Sequence, residues 1–118
     1  MLDPLMFLST LAGVTERIEL GTCVMQVPLR HPVELAHRAQ TLHVLSGGRF
    51  RFGVGSGSTR HDFDAVQADY ARRFKTLPDL IDSIRVMEKC GMRFIGDGNP
   101  EEGQRTVRYA VDRAEFRP

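Results

Sequence analysis

Apolar residues recur at helical spacing near the amino terminus, where Leu5, Leu8, Leu11 and Ala12 follow Asp3-Pro4. Asp-Pro has the chemistry of an N-cap followed by the first helical residue, and Gly13 supplies a stop, so a helix is expected over Asp3–Val14. From Arg17 to Val27 the period becomes two. Ile18, Leu20 and Val24 alternate with Glu19, Gly21 and Cys23, predicting a strand buried largely on one face and closed by Pro28. His31-Pro32 opens a second helix, with Leu35, Ala36, Ala39, Leu42 and Leu45 as its apolar stripe and Gly47-Gly48 as a left-handed cap. A strand over Arg49–Gly55 follows at once.

Strand, crossover helix and strand imply a parallel pair with a right-handed connection, so both carboxyl ends emerge on one rim. That rim carries Thr22–Pro28 and Gly55–Arg60, and it is where α/β enzymes bind ligands. Farther on, Phe63, Val66, Tyr70 and Phe74 predict a helical segment. Thr76 with Asp79 resembles a capping box for another helix, Leu77–Lys89, burying Leu77, Leu80, Ile81, Ile84 and Met87. Beyond Cys90 the turn-rich Gly96–Gln104 separates two strand-like runs, Met92–Ile95 and Thr106–Val111, as in a hairpin or irregular excursion. The organisation read from this pattern is one unit over 1–118, with helix-strand-helix-strand-helix over 1–90 and the excursion over 91–118.

Length then limits the architecture, because 118 residues make one modest domain but fall short of the ~250 of a complete eight-stranded β/α barrel. With 42% hydrophobic and 26% charged residues the chain has the material of a globular core. A formal charge of +1 argues against a nucleic-acid partner, and although all but two of the 16 basic residues are Arg, they are dispersed along the chain. No apolar run approaches the ~20 residues of a membrane span, and the amino terminus has no basic leader. Cys23 and Cys90 stand far apart without a CxxC, which fits a reducing compartment and a cytoplasmic location.

Candidate chemistry concentrates on the second strand's exit. Gly53, Gly55 and Gly57 recur at every second residue, so one face would be bare for a flat or bulky ligand, or the glycines serve a tight strand-to-helix turn. Backbone N–H groups around Ser56–Ser58 are suited to an anion nest. His31 fits a loop hydrogen-bonding or capping role as well as a site role. His31, His37 and His43 are spaced so that successive members fall about 240° apart on a helix, so they cannot share a metal. His61, Asp62 and Asp64 read as helix-start residues, and Cys23 as strand packing without an identifiable base.

Taken in order, the helix DPLMFLSTLAGVTERI, the strand and loop LGTCVMQVPLRHP, the cap TLHVLSGGR and the segment FRFGVGSGSTRHDFDAVQADYARRF resemble the bacterial luciferase-like flavin- or deazaflavin-dependent oxidoreductases over about Asp3–Phe74. The resemblance implies an α/β fold of partial TIM-type (β/α) barrel architecture, with this piece supplying the third and fourth strands and their helices. It also implies a flavin mononucleotide (FMN), or alternatively a deazaflavin coenzyme, at the carboxyl ends of the strands. The reaction implied is an oxygen-dependent monooxygenation, or a hydride transfer, on a small organic substrate; the partners expected are a flavin reductase and, in a homo-oligomer, further copies of the chain. Cofactor-binding positions carried over are Thr22, Cys23, Val24, Gly55, Ser56, Gly57 and Ser58, with a non-prolyl cis peptide at Cys23-Val24. The chain need not contain an obvious acid-base pair, because the cofactor carries the chemistry while the protein positions it and keeps the site dry; the catalytic residues are left unassigned, and no metal is expected.

Departures from the family pattern fall at Ser58, where relatives carry an acidic or aromatic residue, at His43, where they carry an acidic one, and at Cys90, near a frequent Trp. Two other readings stand beside this one. A nicotinamide-binding module requires G-x-G-x-x-G after the first strand and an acidic residue after the second, and neither is present. An inactive truncated half-barrel, surviving by self-association through open sheet edges, predicts no saturable flavin binding.

Overall fold

The computed structural model describes residues 2–85, 88, 93–97 and 107–110. Helix α1 (Pro4–Val14) starts where Asp3 predicts, the Asp3 carboxylate accepting the N–H groups of Leu5 and Met6 at 3.0 and 3.1 Å. It ends at Val14, just past Gly13 as expected, at a Thr15 C-cap whose hydroxyl donates to the Leu11 carbonyl at 2.6 Å. Arg30 closes an ion pair on Asp3 at 3.0 Å, so the residue that caps α1 also ties it to the segment before the next helix.

Strand β1 (Leu20–Gln26) begins three residues later than its sequence pattern predicts, and a 3-10 turn, Val27–Leu29, leads out of it. Helix α2 (Pro32–Leu45) ends as expected, with Gly47 and Gly48 at φ 61° and 80° and the Gly47 and Gly48 N–H groups bonded to Val44 and His43. Its buried stripe is Leu35, Ala36, Ala39, Leu42 and His43, while Leu45, assigned to the stripe from the sequence, is exposed. Strand β2 (Phe50–Gly55) lies parallel to β1, in the register Leu20↔Phe50 and Gln26↔Gly55. Phe50, Phe52 and Val54 are fully buried in one core with Leu5, Leu20, Met25, Val27, Leu42, Leu77 and Ile84.

The single helical segment expected over Phe63–Phe74 is broken. Helix α3 (Arg60–Ala65) ends at a turn in which Gln67 takes φ 57°, and α4 (Arg73–Ile84) begins four residues before the capping box was expected to start it. Asp69 provides the turn into α4, its carboxylate accepting from the N–H groups of Ala71 and Arg72 at 3.0 and 3.2 Å, whereas the Thr76 hydroxyl donates back to the Arg72 carbonyl at 3.2 Å. Met87, Lys89 and Cys90 lie outside the described residues. Strands β3 (Arg93–Asp97) and β4 (Val107–Ala110) pair antiparallel, as a hairpin requires, and β4 joins β2 antiparallel. The sheet order is β1-β2-β4-β3, an α/β fold whose parallel part is the β1–α2–β2 unit.

Candidate functional site

The alternation read along β1 fails at one point, and that point shapes the rim. Pairing runs in step to Thr22↔Phe52 and resumes at Met25↔Val54, so β1 holds one residue more than β2 across this interval. The extra residue is a bulge, which transfers every later side chain to the opposite face. Hence Met25 is buried in the core, and Val24, expected inside, is 37% exposed together with the free thiol of Cys23. The Cys23-Val24 peptide bond is cis, as the resemblance implied.

Gly53 and Gly55 are the reason the bulge fits. A Cβ on Gly53 would stand only 2.2 Å from the Thr22 carbonyl oxygen, and one on Gly55 would stand 2.8 Å from Val24 Cγ2. The Thr22 hydroxyl adds a hydrogen bond to the Gly53 carbonyl at 2.8 Å. The face that the alternating glycines were expected to leave bare for a ligand is therefore filled by the first strand's own bulge at positions 53 and 55. What is presented outward is the bulge itself, Cys23 and Val24.

Gly57 differs from the other two glycines. It has φ 79°, a left-handed conformation that a side chain disfavours, and a Cβ there would meet the Phe63 ring edge at 3.0 Å and Gln26 Oε1 at 3.3 Å. Ser56 before it is buried and Ser58 after it is exposed. Behind this turn stands an aromatic group that the periodicity disguised as one helix. Phe63 packs edge-on against Tyr70 with centroids 5.3 Å apart, the Tyr70 hydroxyl donates to the Ser58 carbonyl at 3.0 Å, and the Arg73 guanidinium lies 3.7 Å from the Tyr70 ring centre and 4.2 Å from that of Phe74. Helical spacing of Phe63, Tyr70 and Phe74 was the available signal, and its meaning here is a cluster across two helices and a turn.

The LSGGR motif acts as structure. Arg49 is buried, and its guanidinium donates to the carbonyls of Ser46 (2.7 Å), Ile18 (3.1 Å) and Ala12 (3.0 Å) and to the Thr15 hydroxyl (2.9 Å). One cation thus satisfies carbonyls at the carboxyl-terminal ends of α1 and α2, where helix dipoles favour positive charge. His43, at the family's acidic position, is buried on α2, and burial, with Arg51 nearby, holds its imidazole below the usual value. For Asp3, burial pushes the carboxyl up, but hydrogen bonding from Met6 and Leu5 and the charge of Arg30 bring it below the usual value.

The remaining sequence candidates do not converge on this rim. His31 is the N-cap residue of α2 and makes no side-chain cap bond. Asp62 falls in the first turn of α3, and Asp64 is 3.8 Å from Arg60 in an ion pair. Among the described residues no group of His, Cys, Asp and Glu is placed to hold a metal, and no helix is long and apolar enough to cross a membrane.

Residues 1–115 match the sequence profile of the luciferase-like monooxygenases. The chain is 41% identical over 82 residues to 4-hydroxyprotoasukamycin monooxygenase of Streptomyces nodosus subsp. asukaensis, covering 70% of this chain and 22% of that protein. It is 40% identical over 88 residues to limonene 1,2-monooxygenase of Rhodococcus erythropolis, covering 75% of this chain and 20% of that protein. Among solved structures it is similar to the monooxygenase RslO1 of Streptomyces bottropensis, with a TM-score of 0.69 at 21% identity over 97% of this chain and 33% of the other. The chain thus spans about a fifth to a quarter of the length of these curated relatives.

Proposed function

This chain belongs to the luciferase-like monooxygenase family, and from that premise we propose that it forms the cofactor-facing rim of a flavin-dependent monooxygenase acting on a small organic substrate. The observation that carries the proposal is the joint rim of β1 and β2, where the exposed bulge Cys23–Val24 stands against Gly55 and the Gly57 turn follows directly. In parallel α/β folds this end of the strands is where ligands bind.

The residues fit the ring end of a flavin. Thr22, Cys23, Val24, Gly55, Ser56, Gly57 and Ser58 carry no charged side chain, and Val24 offers an exposed apolar surface beside an uncharged, side-chain-poor segment. A flat aromatic ring system gains from such a surface by apolar burial, while backbone N–H and C=O groups serve its polar edge. When bound in reduced form, FMN supplies the electrons for oxygen activation. The chain's own contribution is to orient the ring and exclude water. In this reading the chain forms part of a (β/α) barrel, and a flavin reductase is the natural source of reduced cofactor.

Titration of the chain with FMN, followed by flavin fluorescence and by calorimetry, tests the proposal. Saturable binding in the micromolar range is expected. Binding of a deazaflavin coenzyme instead would change the cofactor, and absence of saturable binding to either would leave the inactive half-barrel reading.

A further inference from the structure

We propose that Tyr70 is a positioning residue for the cofactor-facing segment, its hydroxyl holding the Gly57–Ser58 turn in the shape that lines the rim. The inference rests on the flavin reading above only for what the segment binds; the clasp itself stands on contacts within the chain. Residues 56–59 belong to neither β2 nor α3, and the Tyr70 hydroxyl reaches their backbone at the Ser58 carbonyl, donating at 3.0 Å.

Each partner in the clasp is fixed from another side. The Tyr70 ring is set by its edge-on contact with Phe63, which is fully buried, at an interplanar angle of 82°. Phe63 in turn lies under Gly57, with its ring edge where a Cβ on that glycine would begin to clash. On the other side, Arg73 donates to the Tyr70 carbonyl at 2.8 Å and lies across the ring, a cation–π contact worth ~0.5–1 kcal/mol at exposed sites. The turn is therefore held below by Phe63 and at its end by Tyr70, and both come from the connection between β2 and α4. A residue three elements from β1 sets the position of Ser58 relative to the Cys23–Val24 bulge.

Tyr70→Phe isolates the hydroxyl, because the ring and its packing remain. A neutral hydrogen bond contributes about 0.5–1.5 kcal/mol, so amide hydrogen exchange at residues 57–60 should quicken by roughly two- to twelvefold. Amides of α2 that exchange through local opening should be unchanged, and the melting temperature should fall by only a few degrees. FMN affinity, measured on the same two proteins, should fall by a similar factor. Arg73→Ala should move the same amides in the same direction. Equal exchange at 57–60 in wild type and Tyr70→Phe would overturn the proposal. If the exchange responds while wild type itself takes up no flavin, the positioning role stands and the flavin reading of the segment fails.

Discussion

The side chain of Val24 occupies the space that Gly55 leaves, its Cγ2 only 2.8 Å from where a Cβ on Gly55 would be. The pair explains why a glycine is needed at the end of β2 by the neighbouring strand's bulge, before any ligand enters the argument.

Two substitutions separate this account from a simple flexible-glycine account. Gly53→Ala would press a methyl group onto the Thr22 backbone carbonyl, 2.2 Å away, whereas Gly55→Ala meets a side chain that can turn. Overpacking of this kind costs about 1–3 kcal/mol, and more where backbone must move. Urea denaturation should therefore rank wild type above Gly55→Ala and Gly55→Ala above Gly53→Ala. Equal losses would mean that the close approaches do not govern these positions.

Much of the frame was legible because it rests on local chemistry. Asp3-Pro4 starts α1 and Gly47-Gly48 ends α2 through backbone requirements that no tertiary contact needs to supply. The parallel β1–β2 pair followed from strand, helix and strand alone. The bulge was illegible as packing, since alternation along β1 assigns Val24 to the core and only pairing with β2 reveals the extra residue. Likewise Phe63, Val66, Tyr70 and Phe74 keep helical spacing across a turn that Asp69 and Gln67 impose, and spacing cannot distinguish one helix from two that share a cluster.

Arg49 should be among the most costly side chains to remove outside the apolar core. Arg49→Met leaves acceptors at Ala12, Ile18, Ser46 and Thr15 without their shared donor, and a buried group stripped of its partner costs about 1–3 kcal/mol. Arg49→Lys should recover only part, because a single ammonium cannot reach partners spread around a planar fork. Chemical denaturation that found lysine equivalent to arginine would contradict this.

His43 predicts a stability slope in mildly acidic solution. Burial and then the Arg51 charge lower its folded pKa from the ordinary 6.5, so the unfolded chain takes up a proton before the folded chain does. Stability is therefore complete above about pH 6.5 and falls as pH drops toward the lowered folded value. Asp3, also lowered, adds a loss only below its ordinary 3.8. Melting curves from pH 7.5 to 5 should show the His43 slope in wild type and a flatter profile in His43→Gln, whatever the substitution does to stability at pH 7.5.

Cys23 offers a direct probe of the proposed cofactor face. Its thiol is free and exposed on the bulge, so iodoacetamide should label it in the folded protein, at a rate read from the modified peptide by mass spectrometry. A flavin ring resting on the bulge would cover Cys23 and Val24 together, and saturating FMN should slow the labelling several-fold. Protection must track flavin occupancy, because an unrelated stabilisation of the fold would leave an already exposed thiol as reactive as before. Tyr70→Phe should need more FMN for the same protection, since a looser Gly57–Ser58 turn weakens the other side of the same rim. Full flavin occupancy with unchanged labelling would place the ring away from β1, and the assignment of Thr22, Cys23 and Val24 to the cofactor would then fail even if the chain binds flavin.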